Sequence, residues 1–132
     1  MIKVVELLIE YGADLNLCDS NDNTPLMYVC MAGYEKLVNL LVHNGANVNS
    51  KEVKQKTALH QASSKGNLNI VKLLIDYGAV IDQMDSFDRT PLLYATTNGH
   101  REIVSLLVAK GAAINIKTAK VSTPLFETTI TR

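Results

Sequence analysis

The sequence has no uninterrupted apolar run long enough to cross a membrane or to act as an export signal. Its most apolar opening stretch, residues 1–9, is broken by Lys3 and Glu6, whereas a membrane-spanning helix needs about 20 apolar residues. No small-residue cleavage site follows this stretch, and the chain has no Asn-x-Ser/Thr sequon. These absences favour an intracellular protein, in the cytoplasm or the nucleus.

Cysteine is scarce, and neither sign of charge is in excess. Cys18 and Cys30 form no metal-ligand cluster, and their small number fits a reducing compartment. The 13 basic and 13 acidic residues cancel, so the net charge gives no reason to expect nucleic acid or an anionic membrane as the partner.

What the sequence does have is a period of 33 residues in three registers. Gly-Ala pairs begin at Gly12, Gly45, Gly78 and Gly111. Threonines lie at Thr24, Thr57, Thr90 and Thr123, and all but Thr57 precede a proline. Apolar quartets with the spacing i, i+1, i+3, i+4 begin at Val4, Leu37, Ile70 and Ile103. Because no residue is inserted or deleted between the copies, chance does not explain the pattern.

Each register has a physical meaning. A threonine can cap a free helix N–H, and proline fits the first helical position, so Thr-Pro predicts a helix start. Glycines nine residues later, at Gly33, Gly66 and Gly99, predict its end. The quartets predict an apolar stripe on a second helix that ends at the Gly-Ala pair. One such pair of helices cannot bury its own stripe, so stacked copies form an all-α solenoid.

These residues resemble the ankyrin repeat family. The match is to Thr-Pro-Leu-x-x-x-x-x-x-Gly, Val/Ile-Val-x-Leu-Leu and Gly-Ala-x-x-Asn, and it covers essentially the whole chain. The resemblance implies stacked helix-turn-helix units with short β-hairpin loops. It predicts full repeats at 19–51, 52–84 and 85–117, flanked by partial repeats at 1–18 and 118–132.

The copies depart from the family at the hairpin turn. Where the family usually has glycine, this sequence has Asp22, Gln55, Asp88 and Val121. Aspartate tolerates a left-handed turn, but glutamine and β-branched valine do so poorly. We therefore expect distorted or loose hairpins near Gln55 and Val121.

The sequence offers no catalytic or metal-binding constellation. His43, His60 and His100 fall at three different phases of the repeat, and the resemblance implies structural hydrogen bonds for the last two. Phosphate-binding loops, metalloprotease motifs and nucleophile elbows do not occur. We expect a non-enzymatic chain without cofactor or metal, in which Cys30 is a buried, inert thiol and Cys18 is exposed.

Three asparagines match the hairpin asparagine of the family: Asn16, Asn49 and Asn115, with Asp82 in the remaining copy. The resemblance implies that they stabilise turns through bonds to nearby backbone. It also permits, without requiring, that Asn16, Asn49 and Asn115 are substrates of an asparaginyl hydroxylase.

Positions that the repeat pattern leaves free predict where a partner binds. In ankyrin proteins partners usually contact the hairpin tips, the end of the first helix and the last residue before the next repeat. Eight of the matching positions are basic and none is acidic: Lys51, Lys54, Lys56, Lys65, Arg89, Lys110, Lys117 and Lys120. With apolar anchors such as Val53, Met84, Phe87 and Met31, they predict a groove for an acidic segment of another protein.

Other interpretations stay open at this point. The chain could be a targeting or regulatory segment of a larger enzyme, channel or effector whose activity lies elsewhere. The basic positions could serve nucleic acid or anionic lipid, or could be a merely solvated surface. The apolar residues of the two partial repeats also predict end-to-end self-association.

Overall fold

The structure, a computed structural model, describes residues 2–114. Within that range the chain forms seven α-helices and no β-strand. The helices are α1 (Ile2–Glu10), α2 (Pro25–Ala32), α3 (Glu35–His43), α4 (Ala58–Lys65), α5 (Leu68–Asp76), α6 (Pro91–Thr97) and α7 (Arg101–Ala109). They form three pairs, α2 with α3, α4 with α5 and α6 with α7. Helix α1 precedes these pairs and corresponds in position to the second helix of a pair.

The first helix of each pair begins at the predicted threonine. The Thr24 hydroxyl accepts a hydrogen bond from the amide of Met27 at 3.3 Å, and Thr90 accepts the same bond from Leu93 at 3.3 Å. The Thr57 hydroxyl caps α4 by accepting a hydrogen bond from the amide of His60 at 3.5 Å, although alanine follows Thr57 instead of proline. The predicted helix starts are therefore confirmed, with the cap rather than the proline common to all three.

Glycine ends two of the three first helices as predicted, whereas α6 stops at Thr97 and is capped by Asn98, one residue before Gly99. Gly33 and Gly66 cap α2 and α4 with φ values of 80° and 85°, in the left-handed region that side chains disfavour. The second helices stop two residues before Gly12, Gly45, Gly78 and Gly111, and all four glycines have positive φ values.

Stacking joins the pairs into a solenoid with one continuous core. The first helices form one layer, in which α4 contacts α2 and α6, and the second helices form another, from α1 through α3 and α5 to α7. The fully buried side chains between the layers include Leu26, Leu59, Val38, Val71, Leu74 and Leu107.

One prediction about this core is wrong in detail. The apolar quartets predict buried residues at all four of their positions, but Leu40, Leu73 and Leu106 are each only half-buried and pack against the edge of the core. The reason is angular: with 3.6 residues per turn, Leu40 lies about 60° from Leu37, on the side away from Val38 and Leu41. The neighbouring Leu41, Leu74 and Leu107 take the central positions.

The loops between repeats are tight turns, and they are more regular than expected. Asp22, Gln55 and Asp88 all adopt the left-handed conformation, with φ values of 64°, 65° and 61°. The amide of Gln55 donates to the carbonyl of Glu52 at 2.8 Å, as Asp88 does to Asp85 at 3.1 Å. The expected distortion near Gln55 is therefore absent, because the same hydrogen bonds close all three turns. Val121 lies outside the described residues.

None of the helices in residues 2–114 combines the length and the apolar character that a membrane span requires.

Candidate partner-binding surface

An acidic side chain fixes the shape of each turn between repeats. We call these turns, residues 19–23, 52–56 and 85–89, the hairpin tips. The Oδ1 atom of Asp85 accepts hydrogen bonds from the amides of Phe87 at 2.9 Å and Arg89 at 3.0 Å. Glu52 binds the amides of Lys54 and Lys56 in the same way, at 2.6 and 3.1 Å. Because the carboxylate satisfies two backbone donors at once, the side chains on the tip project from a fixed backbone.

Hydrogen bonds between repeats join the tips into one ridge. The amide of Val53 donates to the carbonyl of Asn21 at 3.0 Å, and the amide of Ser86 donates to the carbonyl of Lys54 at 2.9 Å. Three successive tips are therefore held edge to edge, and the residues that they carry form a single surface.

The structure places the predicted partner residues as follows. Exposed side chains are Lys51, Val53, Lys54, Lys65, Met84, Phe87 and Arg89, and Lys56 is half-buried. Lys117 and Lys120 lie outside the described residues. The predicted anchors Val53 and Phe87 are 49% and 38% exposed, a large fraction for apolar side chains on a fixed loop.

The tip surface is less uniformly basic than the sequence suggested. Asp22 and Asp88 are also exposed at the tips. In the middle repeat the matching residue is the neutral Gln55, and Lys51, Lys54 and Lys56 surround it in sequence. Positive charge is therefore concentrated on the middle repeat and on its border with the next one, at Arg89.

Tyr94 is the residue of this surface that sequence reasoning missed. The Nζ atom of Lys56 lies 5.4 Å from the centroid of the Tyr94 ring, and the Cζ atom of Arg89 lies 6.0 Å from it. Arg89 also covers the ring of Phe87, at 5.2 Å. We call Lys56, Phe87, Arg89 and Tyr94 the Tyr94 cluster. Such separations are typical of cation–π interactions.

The hydroxyl of Tyr94 donates a hydrogen bond to Oδ2 of Asp85. Burial, together with this bond, raises the pKa of Tyr94 to about 12. Burial alone would raise the pKa of Asp85, but hydrogen bonds from Tyr94, Arg89 and Phe87 outweigh it and lower that pKa. Asp85 is thus an ionised, buried carboxylate that ties the tip to helix α6.

A signal for this link is present in the sequence. Tyr94 follows Asp85 by nine residues, and Tyr28 follows Asp19 by nine and donates to its carboxylate in the same way. The middle repeat has Glu52 and Gln61 at these positions. A tyrosine paired with a hairpin aspartate in two of three copies could have identified the contact.

The histidines are not brought together, and two of them have structural roles. The buried imidazole of His60 accepts from the amide of Thr57 at 3.0 Å and donates from Nε2 to the carbonyl of Arg89 at 3.0 Å. Burial lowers its pKa, so the neutral ring is favoured. His100 donates to the carbonyl of Ser64 at 2.9 Å. The predicted structural hydrogen bonds are confirmed.

The thiols also lie as predicted. Cys30 is fully buried in α2, and burial raises its pKa to about 12, so it is protonated and unreactive. Cys18 is exposed. Within residues 2–114, no three His, Cys, Asp or Glu side chains form a group that could hold a metal ion.

The hairpin asparagines bind backbone, but in the next repeat instead of nearby. Oδ1 of Asn49 accepts from the amide of Val80 at 2.8 Å, and its Nδ2 donates to the carbonyl of Gly78 at 3.1 Å. Asn16 makes the corresponding bond to the amide of Asn47 at 2.7 Å. These side chains therefore connect successive repeats. Asn115 lies outside the described residues, and hydroxylation stays a prediction.

Stacked helix pairs joined by tight turns define a helical repeat solenoid. A family model described as ankyrin repeats, in three copies, matches residues 1–52 and 49–118. The chain belongs to the ankyrin repeat family, as its resemblance predicted. No curated protein sequence matches it. Ankyrin repeats are generally protein–protein interaction modules and are typically not catalytic.

Proposed function

We propose that this chain is a non-catalytic interaction module that binds an acidic segment of another protein. The binding surface is the ridge of hairpin tips with the adjoining first helices, centred on Lys51, Lys54, Lys56 and Arg89. The observation that carries the proposal is the coincidence, on one fixed ridge, of exposed cations with exposed apolar side chains such as Val53 and Phe87.

Rigidity and composition both support this surface. The tips are held by Glu52 and Asp85 before any partner arrives, so little conformational entropy is lost on binding. Aromatic and arginine side chains contribute most to interface affinity, and Phe87 and Arg89 are in contact here.

An acidic protein segment fits this surface better than nucleic acid does. Nucleic-acid interfaces are strongly positive over a large area, whereas this chain has no net charge and exposes Asp22 and Asp88 on the same tips. Apolar anchors beside the cations suit a peptide chain that carries both acidic and apolar residues.

A charge reversal tests the proposal. Lys54, Lys56 and Arg89 are changed together to glutamate, and binding kinetics to the partner recovered from native extract are measured at several salt concentrations. We expect slower association and a weaker salt dependence, because charge mainly steers the encounter. Melting curves check that the variant is folded, since Lys56 and Arg89 also contact the ring of Tyr94.

The matched control reverses three exposed cations on the second helices, Lys36, Lys72 and Arg101. This variant has the same net charge as the first one but an intact ridge. Equal binding by the ridge variant and the parent, with no effect of salt, would contradict the proposed surface.

We also propose that the chain works inside the cell and associates end to end. The free thiols Cys18 and Cys30 fit a reducing compartment.

The proposed end-to-end association rests on the exposed apolar side chains of α1. Val4 and Leu7 are 58% and 50% exposed, so a second copy could bury them. Sedimentation over a range of concentrations tests association, and Val4→Glu with Leu7→Glu should abolish any dimer. A monomer at all concentrations would contradict it.

A further inference from the structure

We propose that the Tyr94 cluster is a carboxylate-binding subsite that holds one glutamate or aspartate side chain of the partner. The inference rests on the proposed function, because it specifies which chemical group of an acidic segment is recognised and by which residues. Lys56 and Arg89 supply the charge, Tyr94 supplies the platform, and Phe87 supplies the adjoining apolar contact.

Repeat stacking creates the cation pair. Lys56 and Arg89 are 33 residues apart, so they occupy the same position, just before the capping threonine, in consecutive repeats. Stacking brings both within 6.0 Å of the centroid of one ring, that of Tyr94. The first repeat has Asn23 at the cation position, and the middle repeat has Gln61 at the ring position. Among the described repeats, only the border of the second and third has all three parts.

The buried carboxylate of Asp85 accepts its hydrogen bonds from other donors. Oδ1 of Asp85 accepts from two backbone amides, and Oδ2 accepts from the Tyr94 hydroxyl. Asp85 is 4% exposed and lies at the base of the tip, while Arg89 is exposed at the surface. The carboxylate therefore holds the platform in place, and the cations can bind an anion from outside.

The cluster is prepared for a carboxylate in particular. A guanidinium binds a carboxylate through two parallel N–H donors, and a nearby ammonium adds a third. The Cζ atom of Arg89 lies 5.2 Å from the centroid of the Phe87 ring and 6.0 Å from that of Tyr94, and these contacts restrict the side chain before the anion arrives. The exposed Phe87 beside it favours an acidic residue that is followed or preceded by a large apolar one.

The experiment uses two synthetic peptides, one of alternating glutamate and leucine and one with glutamine replacing glutamate. The side-chain Nε–Hε resonances of the ¹⁵N-labelled full chain are recorded during titration. With only three arginines, Arg89, Arg101 and Arg132, these signals can be assigned by single Arg→Lys substitutions. We expect the Arg89 signal to shift with the glutamate peptide and to stay unchanged with the glutamine peptide.

Single substitutions then test the subsite independently of the rest of the binding surface. Lys56→Met and Arg89→Met should each weaken glutamate-peptide affinity about tenfold, which is the loss expected for a charge-assisted hydrogen bond. Lys72→Met removes the same charge from an exposed position on α5 and should leave affinity unchanged. Melting curves check that each variant is folded.

The outcomes distinguish the subsite from the proposed function. If Lys56→Met and Arg89→Met bind as the parent does, while charge reversal at Lys54, Lys56 and Arg89 weakens binding, the subsite is overturned and the acidic-segment surface stands. If charge reversal also has no effect, both are overturned. An Arg89 signal that does not move with the glutamate peptide, or that responds more strongly to a short DNA duplex, overturns the subsite.

Discussion

The Cε1 atom of His100 lies 2.6 Å from the point where a Cβ atom on Gly66 would stand. His100 belongs to the third repeat and Gly66 ends the first helix of the second, so the contact crosses the repeat border. The imidazole is held there by its hydrogen bond to the carbonyl of Ser64. A glycine that appears in the sequence as a helix stop is therefore also a packing surface for the next repeat.

This contact predicts that two equivalent glycines differ in their tolerance of alanine. Gly66 and Gly99 both have positive φ, 85° and 76°, but no atom of residues 2–114 lies within 4 Å of a Cβ on Gly99. We expect Gly99→Ala to lower the free energy of unfolding by about 1–2 kcal/mol through backbone strain. Gly66→Ala should cost about 1–3 kcal/mol more, because the His100 ring must move. Urea denaturation measures both, and equal losses would show that the ring yields freely.

A buried hydroxyl without a partner predicts a stabilising substitution. The Oγ atom of Ser63 is buried in α4 and has no hydrogen-bond partner in the part of the chain that the structure describes. We expect Ser63→Ala to raise the free energy of unfolding by about 1 kcal/mol, since it removes an unsatisfied polar group. Ser105→Ala, at an exposed helical position, is the control and should change stability by less than about 0.5 kcal/mol. A lower melting temperature for Ser63→Ala would refute this explanation.

Adjacent leucines of α5 should differ in their contribution to the core. Leu74 is fully buried and Leu73 is half-buried at the core edge. Leu74→Ala is expected to cost about 2–5 kcal/mol, the usual loss for a buried leucine. Leu73→Ala should cost clearly less, because its cavity opens to solvent. Thermal or urea unfolding of both variants tests the angular argument, and a reversed order would contradict it.

His60 predicts a loss of stability below neutral pH. Its pKa in the folded chain is lowered from 6.5, first by burial. As pH falls below about 6.5, the unfolded chain binds a proton that the folded chain resists, so the free energy of unfolding decreases. The loss continues until pH reaches the lowered pKa of the folded state. Above about 7 the histidine has no effect on the slope.

Replacing His60 by glutamine tests this dependence. His60→Gln should be less stable than the parent at pH 7, since the bonds to Thr57 and Arg89 are altered. Its stability should nevertheless change less between pH 7 and pH 5, as measured by urea denaturation. Asp19 and Asp85, whose pKa values lie below their usual range, lose their contribution only at lower pH. Identical slopes for parent and variant would rule out His60 as the cause.

The sequence determined the repeat, the helices and the family, because these follow from local rules. Thr24, Thr57 and Thr90 cap helices through bonds to residues three positions away, and Gly33 ends one through its own backbone freedom. The apolar quartets indicated which face of each second helix packs against the core. Residue types and spacings along the chain contain all of this information.

Relationships across the repeat border were decided only by tertiary structure. Gln55 keeps a regular turn because the hydrogen bonds around it outweigh its own preference, and Asn49 binds the following repeat instead of its own loop. The distance between Lys56 and Arg89 along the chain does not reveal that both meet the ring of Tyr94. Periodicity shows that repeats stack. Which side chains then touch depends on the angle and offset between neighbouring repeats, and those are set by packing of the whole core.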